Sequence, residues 1–284
     1  MKFGVSYNPG FLGSDPDQLI AVARHAEDCG FESFYVPEHI VLYPGAMLGP
    51  APIPPALPFA DPLECLSFVA AATSAILLGT AVLLLPYHHP VVLAKRLATI
   101  DVLSKGRMRL LTVGLGTLPG EAAATGVDFA SRGRRASEAI DVLRLLWAGD
   151  EHGVSFDGEF FSFDRLCTFP KPLGGGVLPI HVGGSSAAAA RRAGQRGDGY
   201  FPGGRLAAPE RARQLEIMRA AAAAAGRDAG ALEYTRWGAT DMSAADVEDR
   251  AGLGVTRLVV GVGTGGVDEQ RDELSAFAAR LGLG

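Results

Sequence analysis

The feature that most constrains this chain is a strict alternation of strand-like and helix-like segments along its 284 residues. Eight short apolar runs have the composition of strands, namely residues 2–7, 32–36, 76–82, 108–113, 178–182, 198–201, 233–239 and 256–262. A helix-like segment follows each run, and these segments are residues 15–30, 61–74, 91–106, 132–149, 186–197, 209–226, 243–252 and 268–282. Eight strand–helix units predict an α/β protein that forms a single (β/α)8 barrel domain over residues 1–284.

Residues at the predicted helix ends agree with this division. Asp15-Pro16 and Asp61-Pro62 each place a capping carboxylate before a proline suited to a first helical turn. Gly30 and Gly106 stand where a helix commonly ends in a left-handed residue.

Two segments interrupt the simple alternation. Residues 41–60 carry six prolines and follow the second predicted strand, so in a barrel they form a long loop on the C-terminal face, where such loops are usually functional. Residues 154–172 place Asp157-Gly158 between alternating aromatic arms, which predicts a β-hairpin inserted before the fifth barrel strand.

A glycine motif near the C-terminus invites a different fold. Gly261, Gly263 and Gly266 match G-x-G-x-x-G, the dinucleotide-binding fingerprint. That fingerprint requires a second strand and an acidic residue about 20 positions on, whereas one helix follows here before Gly284. We therefore expect a turn between the last strand and the last helix. This turn either binds a phosphate or has a purely structural role.

Composition and residue usage exclude several classes of function. A net charge of −5 gives no reason to expect nucleic acid as a partner. The three cysteines are far apart with no C-x-x-C, which favours a reducing cytoplasm over a zinc or disulfide framework.

Residues 65–94 contain no charged side chain, and we interpret them as a helix end, a turn and a buried strand rather than a membrane span. No lysine follows a predicted strand and no carboxylate–histidine set converges, so neither Schiff-base nor metal chemistry is expected.

Because barrel enzymes place their active sites at the C-terminal ends of the strands, the residues that follow each strand are candidates. Tyr7 and Asn8 follow the first strand, Glu38 and His39 the second, and Trp237 lies near the end of the seventh. His39 immediately follows a strand and can exchange a proton near neutral pH, or can bridge two loops. Glu38 can orient His39 or cap the following turn.

Two glycine-rich loops at strand ends have the character of anion sites. Gly116-Thr117 follows the fourth strand, and Gly183-Gly184-Ser185-Ser186 leads into a helix whose exposed N–H groups and dipole favour a negative charge. An ordinary serine cap explains the second loop equally well. Together the loops suggest a phosphate-bearing ligand, and the cluster Arg132, Arg134 and Arg135 either approaches a long anionic cofactor or forms a solvated helix face.

Across nearly its whole length the chain resembles the luciferase-like monooxygenase superfamily, and most closely the actinobacterial branch that uses the deazaflavin coenzyme F420. The matching pieces are FESFYVPEH (31–39), the run from LGTAV to VGLG (78–116), GVDFASRGRRASEAIDVLRLLW (126–147), FDGEFFSFDRLCTFPKP (156–172), PIHVGGSSAAAARRAGQRGDGYFP (179–202), and the last strand and helix. The family fold is a (β/α)8 barrel with inserted segments, in agreement with the alternation.

The resemblance also implies roles for individual positions. His39 corresponds to a histidine beside the reactive face of the flavin ring, and Ala81-Val82 to a bulge, often with a cis peptide bond, that backs the ring. Leu84 stands where some deazaflavin dehydrogenases carry a hydroxyl near the ring. The loops at residues 116–117 and 183–186 correspond to positions near the ribityl phosphate. Glu38 departs from the common aspartate, and Thr117 from the common tryptophan after glycine.

These implications predict an oxidoreductase that transfers a hydride between reduced coenzyme F420 and an organic substrate, with His39 and Glu38 as the catalytic pair. Two alternatives remain open: a monooxygenase that uses reduced FMN from a separate reductase, and a flavin-binding protein without turnover. We expect a mostly apolar substrate pocket, whose candidate residues are Tyr7, Asn8, Tyr43, Phe59 and Trp237. Relatives are often dimers, which suggests a homodimer here.

Overall fold

The computed structural model of the protein describes residues 1–174, 176–203 and 206–284. Its strands are β1 (Lys2–Ser6), β2 (Ser33–Val36), β3 (Met47–Leu48), β4 (Ala51–Pro52), β5 (Leu77–Leu84), β6 (Met108–Gly114), β7 (Val154–Asp157), β8 (Ser162–Leu166), β9 (Ile180–Gly183), β10 (Gly199–Phe201), β11 (Glu233–Gly238) and β12 (Arg257–Gly261). Its α-helices are α1 (Pro9–Leu12), α2 (Pro16–Asp28), α3 (Pro62–Ala72), α4 (Pro90–Leu103), α5 (Pro119–Ala124), α6 (Arg132–Ala148), α7 (Ala187–Arg196), α8 (Ala208–Ala224), α9 (Ala244–Gly252) and α10 (Val267–Leu281). Two short 3-10 turns span Leu85–Tyr87 and Ala229–Ala231.

Eight parallel strands close into a barrel in the order β1-β12-β11-β10-β9-β6-β5-β2, and β2 pairs again with β1. These are the eight strands that the sequence predicts, and a predicted helix follows each of them, so the (β/α)8 barrel is confirmed. Most buried apolar side chains lie between the strands and the helices. A smaller cluster of Tyr35, Ala81, Leu110, Phe201 and Val259 fills the barrel interior, as the alternation of side chains along barrel strands requires.

The predicted helix caps form. The Asp15 carboxylate accepts from the N–H of Gln18 at the start of α2, and Asp61 accepts from the N–H of Leu63 and Glu64 at the start of α3. Each cap thereby satisfies N–H groups that have no partner inside the helix. Segment 65–94, in which no residue is charged, divides between α3, β5 and the start of α4. In the described part of the chain, no helix combines the length and apolar character needed to cross a bilayer.

Both inserted segments take defined structures. The loop at residues 41–60 contains the small β3–β4 ladder, and its Ala46 and Ile53 pack against Leu118. The second insertion is the predicted hairpin, formed by β7 and β8 before β9. The short helices α1 and α5 are additions that the sequence did not predict. Both follow C-terminal ends of barrel strands, where they take part in forming the mouth of the barrel.

The C-terminal glycine motif is the turn between β12 and α10 rather than part of a dinucleotide-binding fold. The Gly263 N–H donates to the carboxylate of Glu273 at 2.9 Å, and the Gly265 carbonyl accepts from Gln270 at 2.8 Å. An acidic side chain therefore occupies the position where a phosphate would need a free N–H. This arrangement favours the structural interpretation of the motif.

A charged network closes the N-terminal mouth of the barrel. Arg257 on β12 is 1% exposed and forms ion pairs of 2.6 Å with Glu32 and 2.5 Å with Glu233, while Lys2 lies 2.7 Å from Glu233. Burial by itself raises the pKa of Glu233, but the hydrogen bonds from Arg257 and Lys2 outweigh it and lower this pKa to about 2. The network holds the first, seventh and eighth barrel strands together through side chains.

Glu27 at the end of α2 links this helix to the segment that precedes β5. Its carboxylate accepts from the N–H groups of Ser74, Ala75 and Ile76. Partial burial raises the pKa of Glu27, but these bonds outweigh it and lower the pKa from 4.5 to about 2. We expect Glu27→Gln to reduce the free energy of unfolding by about 1–2 kcal/mol at pH 7, a figure lowered for solvent screening at this half-exposed site.

The pH dependence of that loss has a defined sign. A lowered folded-state pKa contributes stability above pH 4.5, and this stability is lost as the pH falls from 4.5 toward about 2. The difference between wild type and Glu27→Gln in urea unfolding should therefore shrink over this interval. Glu248→Gln, an exposed change on α9, serves as the control and should show neither effect.

Candidate active site

A cavity of about 480 Å³ opens at the C-terminal ends of the barrel strands. It is lined by most of the residues that the sequence proposes, namely Asn8, Glu38, His39, Phe59, Ala81, Val82, Leu84, Gly116, Thr117, Gly183, Gly184, Ser186 and Trp237. The lining also includes Arg132, for which cofactor contact was one of two interpretations, the strand-end residues Gly114, Leu115, Phe201 and Gly203, and Leu48 and Ile53 from the loop at residues 41–60. Phe11, Pro37 and Ala189 are lining residues that the sequence did not indicate. The surface is mainly apolar with a few polar groups, as is usual for sites that bind small organic molecules.

Three proposed residues do not line this cavity. Tyr7 is fully buried, donates to the Gly13 carbonyl and stacks on Phe34, because it points from β1 toward the helices while Asn8 points into the mouth. The Tyr43 hydroxyl accepts from the N–H of Gly120 and joins two loops. The Ser185 hydroxyl donates to the Gly203 carbonyl. Direct substrate or cofactor contact is therefore not supported for these side chains.

His39 is held against a buried acid from a different part of the chain. Its Nδ1 lies 3.3 Å from Glu121 Oε2, and the side chains of His39 and Glu121 are 13% and 0% exposed. The second carboxylate oxygen of Glu121 accepts from the Ile40 N–H at 2.7 Å. Phe59 packs edge-on against the imidazole with centroids 4.8 Å apart. Because the carboxylate selects the Nδ1–H tautomer of neutral His39, Nε2 remains as a proton acceptor.

Glu38 does not orient His39, contrary to one of the two roles considered for it. Its Oε2 accepts from the Leu84 N–H at 2.6 Å, and its Oε1 lies 2.9 Å from His88 Nε2. Adjacent residues in extended backbone point to opposite sides, so Glu38 and His39 meet different partners. The Glu38 carboxylate is 2% exposed and ties the end of β2 to the end of β5. The Glu38 carboxylate is thus bonded to Leu84 and His88, whereas His39 keeps Nε2 without a partner among the described residues.

The end of β5 forms one wall of the cavity. The peptide bond between Ala81 and Val82 is cis, and the pairing of β5 with β6 shifts register between Ala81 and Leu83. The Val82 side chain lies so close to Gly114 and Gly183 that a Cβ at either glycine would stand 2.5 or 2.7 Å from a Val82 methyl group. Glycine is therefore required at both positions, because the Val82 methyl groups occupy the space that a Cβ would need.

The two glycine-rich loops meet at one side of the cavity. The Ser186 hydroxyl caps α7 by accepting from the Ala189 N–H at 3.2 Å. Arg132 lies beside the first of these loops, with its guanidinium over the Phe129 ring at 3.5 Å and its Nε 3.3 Å from the Gly116 carbonyl. This end of the cavity thus combines a helix N-terminus with a cation.

The arginine cluster on α6 does not act as a unit. Arg134 pairs with Glu159 on the surface. Arg135 donates to the Pro86 carbonyl and lies over the Phe161 ring. Only Arg132 of the three lines the cavity. The solvated-face interpretation therefore fits Arg134, whereas Arg132 is positioned for an anionic group.

Glu121 is the main residue that the sequence analysis missed. It lies on α5, a helix of six residues that has no apolar periodicity to reveal it. The available signal was Pro119-Gly120-Glu121, a proline and an acid suited to a first helical turn directly after a strand-end loop. Its contact with His39 spans 82 positions, which a local pattern does not encode.

Comparison with known proteins agrees with this architecture. The family model described as luciferase-like monooxygenase matches residues 1–282. The chain belongs to the luciferase-like monooxygenase family. It is 32% identical to an uncharacterized protein of Mycobacterium tuberculosis over 92% of this chain and 91% of that protein. It is also 32% identical to an F420-dependent hydroxymycolic acid dehydrogenase of M. tuberculosis, over 75% of this chain and 55% of that longer protein.

Solved structures of the luciferase-like fold superpose over nearly the whole chain. The monooxygenase RslO1 from Streptomyces bottropensis gives a TM-score of 0.81 at 21% identity, covering 99% of this chain and 98% of that one. An F420-dependent secondary alcohol dehydrogenase gives a TM-score of 0.80 at 18% identity with the same coverage. The protein is thus a luciferase-like oxidoreductase, of a family whose members use deazaflavin or flavin cofactors.

The cavity fits a flat tricyclic cofactor with a phosphorylated chain. Val82, packed against Gly114 and Gly183, would back a planar ring at this wall of the cavity. Gly116, Ser186 and Arg132 supply the polar end for a phosphate. These residues match the general form of a ring-plus-phosphate ligand without distinguishing deazaflavin from flavin.

Removing the Glu121 carboxylate should lower the stability of the protein as well as disturb the orientation of His39. We expect Glu121→Ala to lower the free energy of unfolding by about 2–3 kcal/mol, because the Ile40 N–H and the His39 Nδ1–H lose their buried acceptor. Urea denaturation followed by circular dichroism measures this loss. Glu248→Ala on the exposed face of α9 is the matched change and should stay within about 0.5 kcal/mol of wild type.

Proposed function

We propose that the protein is a deazaflavin-dependent dehydrogenase that oxidises an apolar secondary alcohol to a ketone, or reduces the ketone in reverse. The observation that carries this proposal is the His39–Glu121 pair at the wall of an apolar cavity, with His39 Nε2 left as a proton acceptor. Relatives named as F420-dependent dehydrogenases of hydroxymycolic acid and of glucose 6-phosphate support the cofactor and a hydroxyl-bearing substrate.

The chain's own residues account for the proton and for substrate orientation. The bound deazaflavin ring supplies a hydride acceptor for the alcohol carbon. His39 Nε2 accepts the hydroxyl proton as the carbonyl forms, and Glu121 stabilises the imidazolium through Nδ1–H. Phe59 and Leu48 cover the site from the loop at residues 41–60 and exclude water. Trp237 and Phe201, with ring centroids 4.8 Å apart, offer a surface for the apolar part of the substrate.

The apolar lining favours an alkyl or aryl alcohol over a sugar phosphate. The lining holds one cation, Arg132, among its described residues, and that cation lies at the phosphate end of the cofactor position. Among the described lining residues there is no further cation to pair with a phosphate on the substrate. We therefore expect a neutral substrate, held mainly by hydrophobic contact and oriented by His39.

The deciding experiment is a titration of the purified cofactor-free protein with coenzyme F420 and, separately, with FMN, each oxidised and reduced. Tight binding of coenzyme F420, followed by its reduction on addition of a panel of secondary alcohols, supports the proposal. Preferential binding of reduced FMN with oxygen consumption coupled to substrate loss contradicts it and supports the two-component monooxygenase. The resemblance to monooxygenase RslO1 makes this the second candidate. Tight binding without redox exchange supports a non-catalytic flavin-binding protein.

A further inference from the structure

A second cavity lies outside the barrel, on the far side of β11 from the candidate active site. It measures about 360 Å³, within the range of small-ligand sites, and runs between α8, the end of α9 and the strand. We call it the arginine groove, and its defining side chains are Arg211, Arg219, Arg236, Arg250, Leu215 and Leu253. Because successive side chains on a strand face opposite sides, Trp237 lines the active-site cavity while Arg236 lines this groove.

The charge of the groove differs from that of the whole molecule. The protein has a net charge of −5, yet the part of the groove lining that the structure describes has four arginines and one acid, Glu216. Among the described residues, none of these five side chains forms an ion pair within 4.0 Å. The Arg211 guanidinium donates to the Leu206 carbonyl, which leaves its charge uncompensated. The described lining of the groove therefore carries an excess of positive charge.

Arg236 is the decisive residue. It is 7% exposed, and in the described part of the chain its guanidinium makes one long hydrogen bond, 3.5 Å from Nη1 to the Tyr234 hydroxyl. A guanidinium carries five N–H donors, and most of those of Arg236 make no hydrogen bond to a described protein group although the side chain is held in place by its burial. By contrast, buried Arg257 and Arg107 saturate their donors with carboxylates or carbonyls. Arg236 is thus a fixed arginine whose unpaired donors line the groove and are free to bind an anion there.

The other residues of the groove indicate which chemical groups a ligand would have. Leu253 is 56% exposed, and Leu215 and Val255 extend an apolar strip along the groove. Tyr234 stacks on Tyr200 and is therefore fixed, and its hydroxyl hydrogen has no acceptor among the described residues. An arginine fork with an adjacent hydroxyl suits the oxygens of a phosphate or carboxylate, and the leucines suit a short hydrocarbon.

We propose that the arginine groove is a second ligand site, which binds a small organic anion through Arg236 with its apolar portion against Leu215 and Leu253. The site is separate from the barrel mouth, so the inference does not rest on the proposed function. The shared chemistry of the ligand is an anionic head on an apolar chain. Phosphate monoesters and carboxylates are the two sources of such a head.

Isothermal titration calorimetry with four probes tests the proposal: hexyl phosphate, hexanoate, inorganic phosphate and hexanol. We expect saturable binding of at least one of the two amphiphilic anions, tighter than inorganic phosphate, and no binding of hexanol. The tighter of hexyl phosphate and hexanoate identifies the head group. Absence of saturable binding by both, or equal binding of hexanol, overturns the proposal.

Matched variants locate the binding. Arg236→Met should weaken the better probe about tenfold or more, because a charge-assisted fork is lost. Arg213→Met removes the same charge from the exposed face of α8, outside the groove, and should leave affinity unchanged. Glu216→Gln should strengthen binding by removing the one acid. Equal weakening by Arg236→Met and Arg213→Met would mean nonspecific attraction and would overturn the site.

A stability measurement separates a ligand role from a structural one. Without ligand, Arg236→Met should unfold at the same temperature as wild type or higher, because the described residues give Arg236 no ion pair to lose and methionine keeps an apolar stem. A lower unfolding temperature would indicate that Arg236 supports the fold and would count against the proposal. If that variant does not fold, Arg250→Met, at the less buried end of α9, takes its place and should weaken the same probe several-fold.

Discussion

Replacing His39 with alanine should lower turnover by about 10²–10⁴-fold while the protein still folds and binds its cofactor. The reason is the geometry at the barrel mouth, where Glu121 occupies Nδ1 of His39 and leaves Nε2 as a proton acceptor on the cavity wall. Without the imidazole, the substrate hydroxyl proton must pass to water in a largely apolar site. The measurement is the rate of deazaflavin reduction with the most active secondary alcohol of the panel, beside the cofactor dissociation constant.

A matched histidine provides the control for this prediction. His89 precedes α4, packs edge-on against Phe161 and is absent from the cavity lining. His89→Ala removes the same ring and should keep turnover near that of wild type. Added imidazole should restore part of the activity of His39→Ala, because the missing ring leaves space in the cavity. Unchanged turnover in His39→Ala, or an equal loss in His89→Ala, would remove His39 from the mechanism.

Glu121→Gln distinguishes orientation from proton transfer. The amide keeps an acceptor for the Ile40 N–H or for His39 Nδ1–H, but carries no charge to stabilise the imidazolium. We expect turnover to fall less than in His39→Ala, with the cofactor dissociation constant unchanged. A double variant should be no slower than His39→Ala alone, since Glu121 acts through His39. An additive loss in the double variant would give Glu121 a role of its own.

The barrel could be predicted from the sequence because its determinants are local. The strand at Leu77–Leu84, for example, is covered on both faces and appears as a continuous apolar run, which the sequence places at residues 76–82. Asp15 and Asp61 mark helix starts with carboxylates that bond the first turn, and these bonds are present. Such signals need only neighbouring residues, so they identify the strand–helix units without the tertiary structure.

The site was only partly predictable because its contacts are not local. Position after a strand correctly brings His39 and Gly183 to one cavity, but it also selects Tyr7, whose side chain points to the helix layer. Whether a side chain points into the barrel mouth or toward the helices depends on where the regular alternation of the strand stops. The end of a strand is the part of it that is hardest to locate from sequence. The partner of His39 depends on how α5 lies across the barrel mouth. The sequence around Glu38-His39 therefore gives no indication that Glu121 is the partner of His39.

The largest stability effect should come from the opposite end of the barrel, at Arg257. We expect Arg257→Ala to lower the free energy of unfolding by about 3–5 kcal/mol, because it removes the buried cation between the carboxylates of Glu32 and Glu233 and leaves them the half-exposed Lys2. Burial alone would lower the pKa of Arg257, but its hydrogen bonds to Glu32 and Glu233 raise that pKa above the usual value. Urea denaturation at pH 7 measures the loss, and Arg196→Ala, which breaks a half-exposed pair with Asp141, should cost no more than about 1 kcal/mol.

Two further measurements show whether uncompensated charge is the cause. In the triple variant Arg257→Met, Glu32→Gln and Glu233→Gln the unpaired carboxylates are gone, so most of the stability lost in Arg257→Met alone should return. Lowering the pH should also reduce the difference between wild type and Arg257→Ala. Glu233 has a folded-state pKa of about 2 against 4.5 normally, so its contribution is present above pH 4.5 and is lost as the pH falls toward 2. A difference that stays constant with pH, together with no recovery in the triple variant, would mean that Arg257 stabilises the barrel by filling space rather than by neutralising Glu32 and Glu233.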